Sequence, residues 1–106
     1  MAKFILLYRS STSARDMMSS ATPEQMKAGM DAWMTWAAKA GDAVVDLGAP
    51  LAPTAHSGAG ATDISGFSVL QADSATAITE LLDGHPHLQV PGNSVDVLEM
   101  LSMPGM

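Results

Sequence analysis

Apolar positions along the chain follow two rhythms, and their order predicts strand, helix, strand, strand, helix, strand. Residues 3–9, KFILLYR, put Phe4, Leu6 and Tyr8 on one face of a strand and Ile5 and Leu7 on the other. A strand apolar on both sides needs cover on both. Residues 10–21, rich in Ser, Thr and Ala, read as a loop. Thr22-Pro23-Glu24-Gln25 then opens a helix, with Thr as cap, Pro in the first turn and Gln placed to complete a capping box. Met26, Met30, Trp33, Ala37 and Ala40 recur at helical spacing as its buried stripe, Lys27, Asp31 and Thr35 lie on the far side, and Gly41 ends it. On this reading Trp33 is core and Trp36 lies at the stripe's margin.

Residues 43–49, AVVDLGA, form a second strand closed by Pro50, and 50–64 is loop. Residues 66–72, GFSVLQA, alternate as a third strand. Asp73 or Ser74 caps a second helix with Ala77, Ile78, Leu81 and Leu82 on its buried side and Gly84 at its end. Residues 94–102, SVDVLEMLS, give the last strand. This order predicts one α+β domain over 1–106, a ferredoxin-like βαββαβ arrangement with an antiparallel sheet and both helices on one face. The other sheet face is left bare, and a second copy of the sheet is the economical cover, so the pattern predicts a homodimer.

Composition sharpens this picture. Apolar residues make up 47% of 106 positions and charged residues 15%, more apolar surface than a small domain hides easily. There is no cysteine, hence no disulfide framework and no thiolate nucleophile. A net charge of −6, with five scattered Lys and Arg, disfavours nucleic acid and anionic membrane as partners. The opening apolar run is too short for a membrane span or a signal-peptide core, and the expected compartment is the cytoplasm. The Gly-rich GAGAT stretch at 58–62 has no strand before it, no helix after it and no following Lys, so it is not read as a phosphate loop.

The opening KFILLYR, Trp33 and Trp36 on one helix, GDAVVDLGAPL at 41–51, GFSVLQADS, and DGHPHL followed by SVDVLEM together resemble the YCII-related family. The resemblance covers nearly the whole chain. It implies a dimeric α+β barrel with a pocket between the sheets or at the helix–sheet edge, and for some members hydrolase or dehalogenating lyase activity through a His/Asp pair. In that pattern the His stands near the start of the first helix, where this chain reads PEQMKAGM, and the acid stands before a proline, where it has His85.

Among residues able to carry chemistry, His85 and His87 lie in the loop after the second helix. They are candidates for a general base, a ligand contact or a tether to backbone carbonyls. Too few other ligands are near them for a metal site, and neither metal nor cofactor is expected. Asp46 interrupts a half-buried strand, as an acid in a pocket or a partner for Arg9, Lys39 or a backbone amide. Glu99 interrupts the last strand likewise. Tyr8, Ser68 and Trp36 complete a set that could wall a small-molecule pocket. The expected catalytic pair is His87 with Asp46, sharing one cavity within or between subunits, and the expected ligand contacts are Tyr8, Trp36, Ser68, His85 and Glu99. Three functions follow: a small-molecule-binding homodimer, a hydrolase or lyase using the His/Asp pair, or a non-catalytic protein-interaction module.

Overall fold

A computed structural model describes residues 1–58 and 62–104. Its strands are β1 (Ala2–Arg9), β2 (Val44–Pro50), β3 (Ile64–Ala72) and β4 (Ser94–Glu99), and its helices α1 (Ala14–Ser20), α2 (Pro23–Ala40) and α3 (Ala75–Leu81). The strands form one antiparallel sheet in the order β2-β3-β1-β4, with β1 and β3 central. That order, with α2 and α3 packed on one face, is the ferredoxin-like α+β fold. The middle of the GAGAT stretch, 59–61, lies outside the described residues.

Local chemistry sets the element ends. Thr22 Oγ1 accepts from the Gln25 N–H at 3.1 Å while Gln25 Oε1 accepts from the Thr22 N–H at 2.9 Å, a complete capping box with Pro23 behind it. Of the two possible caps for α3, Ser74 is the one used, accepting from the Ala77 N–H. Helix α1 falls where the sequence reads as loop: Ser13 caps it from the Asp16 N–H, and a Ser-x-x-Asp spacing was the signal available. Strand β4 ends at Glu99, short of the expected Ser102.

The core lies between the sheet and the helices. Phe4, Leu6, Tyr8, Leu70, Trp36 and Ile78 are buried there, and full burial of each large apolar side chain is worth about 1.5–3 kcal/mol. On the opposite face Ile5, Leu7, Phe67 and Val69 alternate with them and are only half-buried. Two expectations for α2 change. Its buried stripe consists of Trp36 and Ala40, with Trp33 and Ala37 partly covered, while Met26 and Met30, on the same stripe, are exposed. The first half of α2 keeps the rotation of the stripe, but none of the described residues covers it. The order of the tryptophans is also reversed: Trp36 is buried, its Nε1–H donating to the Leu81 carbonyl at 2.8 Å, and Trp33 is half-buried. An indole with an internal acceptor tolerates the deeper position.

Candidate functional site

The HPHL loop begins a 3₁₀ turn, Pro86–Gln89, between α3 and β4. His85, the residue before it, is 0% exposed. Its ring centroid lies 4.3 Å from that of Trp36, 4.7 Å from Trp33 and 5.1 Å from Tyr8, so three aromatic side chains enclose it. His85 Nδ1 accepts from the His87 backbone N–H at 3.0 Å, which leaves the proton of the neutral ring on Nε2. That Nε2–H donates to the Tyr8 hydroxyl oxygen at 3.2 Å. The Tyr8 hydroxyl donates to Ser68 Oγ at 2.7 Å, and Ser68 donates to the Leu47 carbonyl at 2.6 Å. Each side chain in the row gives one hydrogen bond and accepts one, and among the described residues no buried polar side-chain atom is stranded.

Burial sets the electrostatics of this row. Loss of solvation, helped by the nearby His87, lowers His85 to about 4. Burial raises Tyr8 to about 12, against the smaller opposing effect of its bond to Ser68. At neutral pH both are uncharged, and the row is a chain of neutral dipoles.

At its far end the row meets an irregularity in β2. The pairing of β2 with β3 shifts register on either side of Asp46, and Gly48 has φ +84°. A Cβ on Gly48 would stand 1.7 Å from the Phe67 carbonyl oxygen, so only glycine fits. Asp46 Oδ1 accepts from the Gly48 N–H at 2.8 Å, closing the bulge from outside while Ser68 closes it from inside. The VVDLGAPL and HPHL phrases are therefore two ends of one hydrogen-bonded structure. Of the two sequence readings of Asp46, a pocket acid or a partner for Arg9, Lys39 or a backbone amide, the structure within one chain shows the backbone amide, and the Asp-x-Gly spacing carried its signal.

His87 is placed differently from His85. Its Nε2 lies 2.9 Å from the Arg9 carbonyl and 3.1 Å from that of Ser94, so an Nε2–H ties the loop to the end of β1 and the start of β4. Asn93 bonds the His87 carbonyl at 3.1 Å and approaches Nδ1 at 3.4 Å. Tyr8, Ser68, His85 and Trp36 are thus brought together, with His87 beside Tyr8. Asp46 and Glu99 are not: within one chain Asp46 is exposed on an edge strand separated from β4 by both central strands, and Glu99 pairs with Phe4, four residues along β1 from Tyr8. Among the described residues, no three His, Cys, Asp or Glu side chains gather as a metal site.

No protein-family model matches the chain, and no curated protein matches its sequence. Among solved structures, the chain is similar to 5-chloro-2-hydroxyhydroquinone dehydrochlorinase from Burkholderia phenoliruptrix AC1100, in its complex with 2,5-dihydroxybenzoquinone. Identity is 14%, 91% of each chain is covered, and the TM-score is 0.49.

Two surface hollows lie near the row. A cleft of about 300 Å³ runs between α2 and the loop after α3, walled by Ala32, Thr35, Trp36, Lys39, Pro86 and Gln89. A smaller one, about 160 Å³, is bordered by Ser10, Ser13, Pro53, Thr62, Ile64 and Ser65. At the same end of the sheet Arg9 bonds both Asp96, at 2.6 Å, and Asp63, so its charge is already matched. No helix among the described residues is long and apolar enough to cross a membrane.

Proposed function

We propose that the protein is a cytoplasmic homodimer, closed sheet against sheet as a dimeric α+β barrel of YCII-related type, that binds a small molecule. The observation that carries this reading is the uncovered sheet face. Ile5, Leu7, Phe67 and Val69, with Leu98 at its edge, form an apolar surface that no helix among the described residues covers. A second copy satisfies it with the same residues on both sides, as a two-fold interface requires. The ligand reading is supported by the Trp36 cleft, whose size and largely apolar wall suit a small organic molecule. The acidic balance of the chain favours such partners over nucleic acid or membrane. The hydrolase or lyase alternative needs a second chain to carry Asp46 or Glu99 to His87, because within one chain His87 Nε2 faces backbone carbonyls.

Light scattering at micromolar concentration tests the assembly. Twice the chain mass of 11.0 kDa is expected, with Val69→Lys folded but monomeric. A monomeric wild-type chain refutes the reading.

A further inference from the structure

Methionine ranks among the residue types most often found inside proteins. Here, among the described residues, it is on the outside throughout. Of nine methionines, Met106 lies beyond the described residues, and each of the other eight is at least 43% exposed. The core cluster and its partly buried fringe contain none. Three of the eight, Met26, Met30 and Met34, stand four residues apart on α2, exposed by 49%, 62% and 53%. At that spacing they are surface neighbours, about 5–6 Å apart at Cβ, so their thioethers make a continuous ladder in water. The chain has no cysteine, so its sulfur chemistry resides in methionine alone.

We propose that the Met26–Met30–Met34 ladder is a modification site, oxidised by peroxides without loss of the fold. The thioether sulfur attacks one peroxide oxygen. The O–O bond breaks, a sulfoxide S–O bond forms, and hydrogen peroxide leaves as water, the sulfur losing two electrons and the peroxide gaining them. A sulfoxide is polar and damages a protein when formed in its core. On α2 the new oxygen points into solvent, and Trp36, Ala40 and Ile78 keep their contacts. The ladder belongs to the helix layer, on the opposite side of the sheet from the open apolar face. Sheet-to-sheet pairing leaves it accessible, so the inference does not depend on the assembly proposed above.

The test is hydrogen peroxide treatment of the intact chain, followed by peptide mass spectrometry and thermal unfolding. Met26, Met30 and Met34 should each gain one oxygen, at native rates close to those in denaturant, because their thioethers are already exposed. Cooperative unfolding should persist after full oxidation, and methionine sulfoxide reductases should restore the original mass. The triple variant Met26→Leu, Met30→Leu, Met34→Leu keeps side-chain volume and helix propensity and should take up three fewer oxygens. Oxidation at these three positions that is markedly slower in the native chain than in denaturant would show the ladder covered, and overturn the proposal. Loss of cooperative unfolding on oxidation of wild type, but not of the triple variant, overturns it equally.

Discussion

Acid should unfold this protein through His85. In the folded chain the imidazole is enclosed by Tyr8, Trp33 and Trp36, and its Nδ1 is occupied by the His87 N–H. Protonation puts a second hydrogen on Nδ1, where a donor already points, and places a charge where no water reaches. Loss of solvation, with the nearby His87 adding to it, lowers its pKa from an ordinary 6.5 to about 4. Above pH 6.5 both folded and unfolded chains carry the neutral ring, and the full stability is present. Between 6.5 and 4 the unfolded chain binds a proton that the folded chain refuses, so stability falls with pH, by up to about 1.4 kcal/mol for each unit. Across the window the loss comes to about 3 kcal/mol, a large part of a small domain's total. Urea unfolding at pH values from 7 to 4 measures it, with His85→Gln as reference. The variant is less stable at pH 7 because its row is broken, but its stability should fall less steeply by about one proton. Parallel pH dependences of the two proteins would refute the argument, as would an NMR titration placing the folded His85 near 6.5.

Other outcomes follow from the same geometry. Trp36→Ala should cost about 3–5 kcal/mol, the usual range for a buried aromatic, and Trp33→Ala about 1–2 kcal/mol; denaturant unfolding of both gives the order. Tyr8→Phe leaves the His85 Nε2–H without an acceptor and Ser68→Ala leaves the Tyr8 hydroxyl without one, at about 1–3 kcal/mol each. A double-mutant cycle between them should show coupling of at least about 0.5 kcal/mol, and strict additivity would mean the row does not act as a unit. Gly48→Ala should destabilise by more than about 2 kcal/mol, with faster amide exchange in β2, since both its φ and the Phe67 carbonyl oppose a Cβ.

The fold was largely legible because its signals are local. The alternation of Phe4, Leu6 and Tyr8 with Ile5 and Leu7, and the Thr22–Gln25 box, are matters of spacing that the structure reproduces. What spacing cannot supply is how far the body of the protein extends beneath an element. Met26 and Met30 occupy the correct side of α2 and are exposed because only the second half of that helix rests on the core. The same limit reversed Trp33 and Trp36. At the candidate site, the sequence grouped Tyr8, Ser68, His85 and Trp36 around one pocket but did not indicate that Tyr8, Ser68 and His85 bond one another, since those hydrogen bonds span 60 to 77 residues. Of the partners the sequence offered Asp46, the structure selects a backbone amide; which amide was not legible, because the Gly48 N–H two residues on becomes a donor to it only once the strand bulges.

The bulge has a consequence at the rim of the sheet. Strand β2 is an edge, and a regular edge offers unpaired N–H and C=O groups to any passing strand. Two register shifts, the kink at Gly48 and the Asp46 carboxylate spoil that template along most of its length. Sheet-to-sheet fusion through β2, the ordinary beginning of aggregation in a β-rich protein, is thereby obstructed. The hydrogen-bonded row from His85 holds in place the distortion that keeps this margin from polymerising.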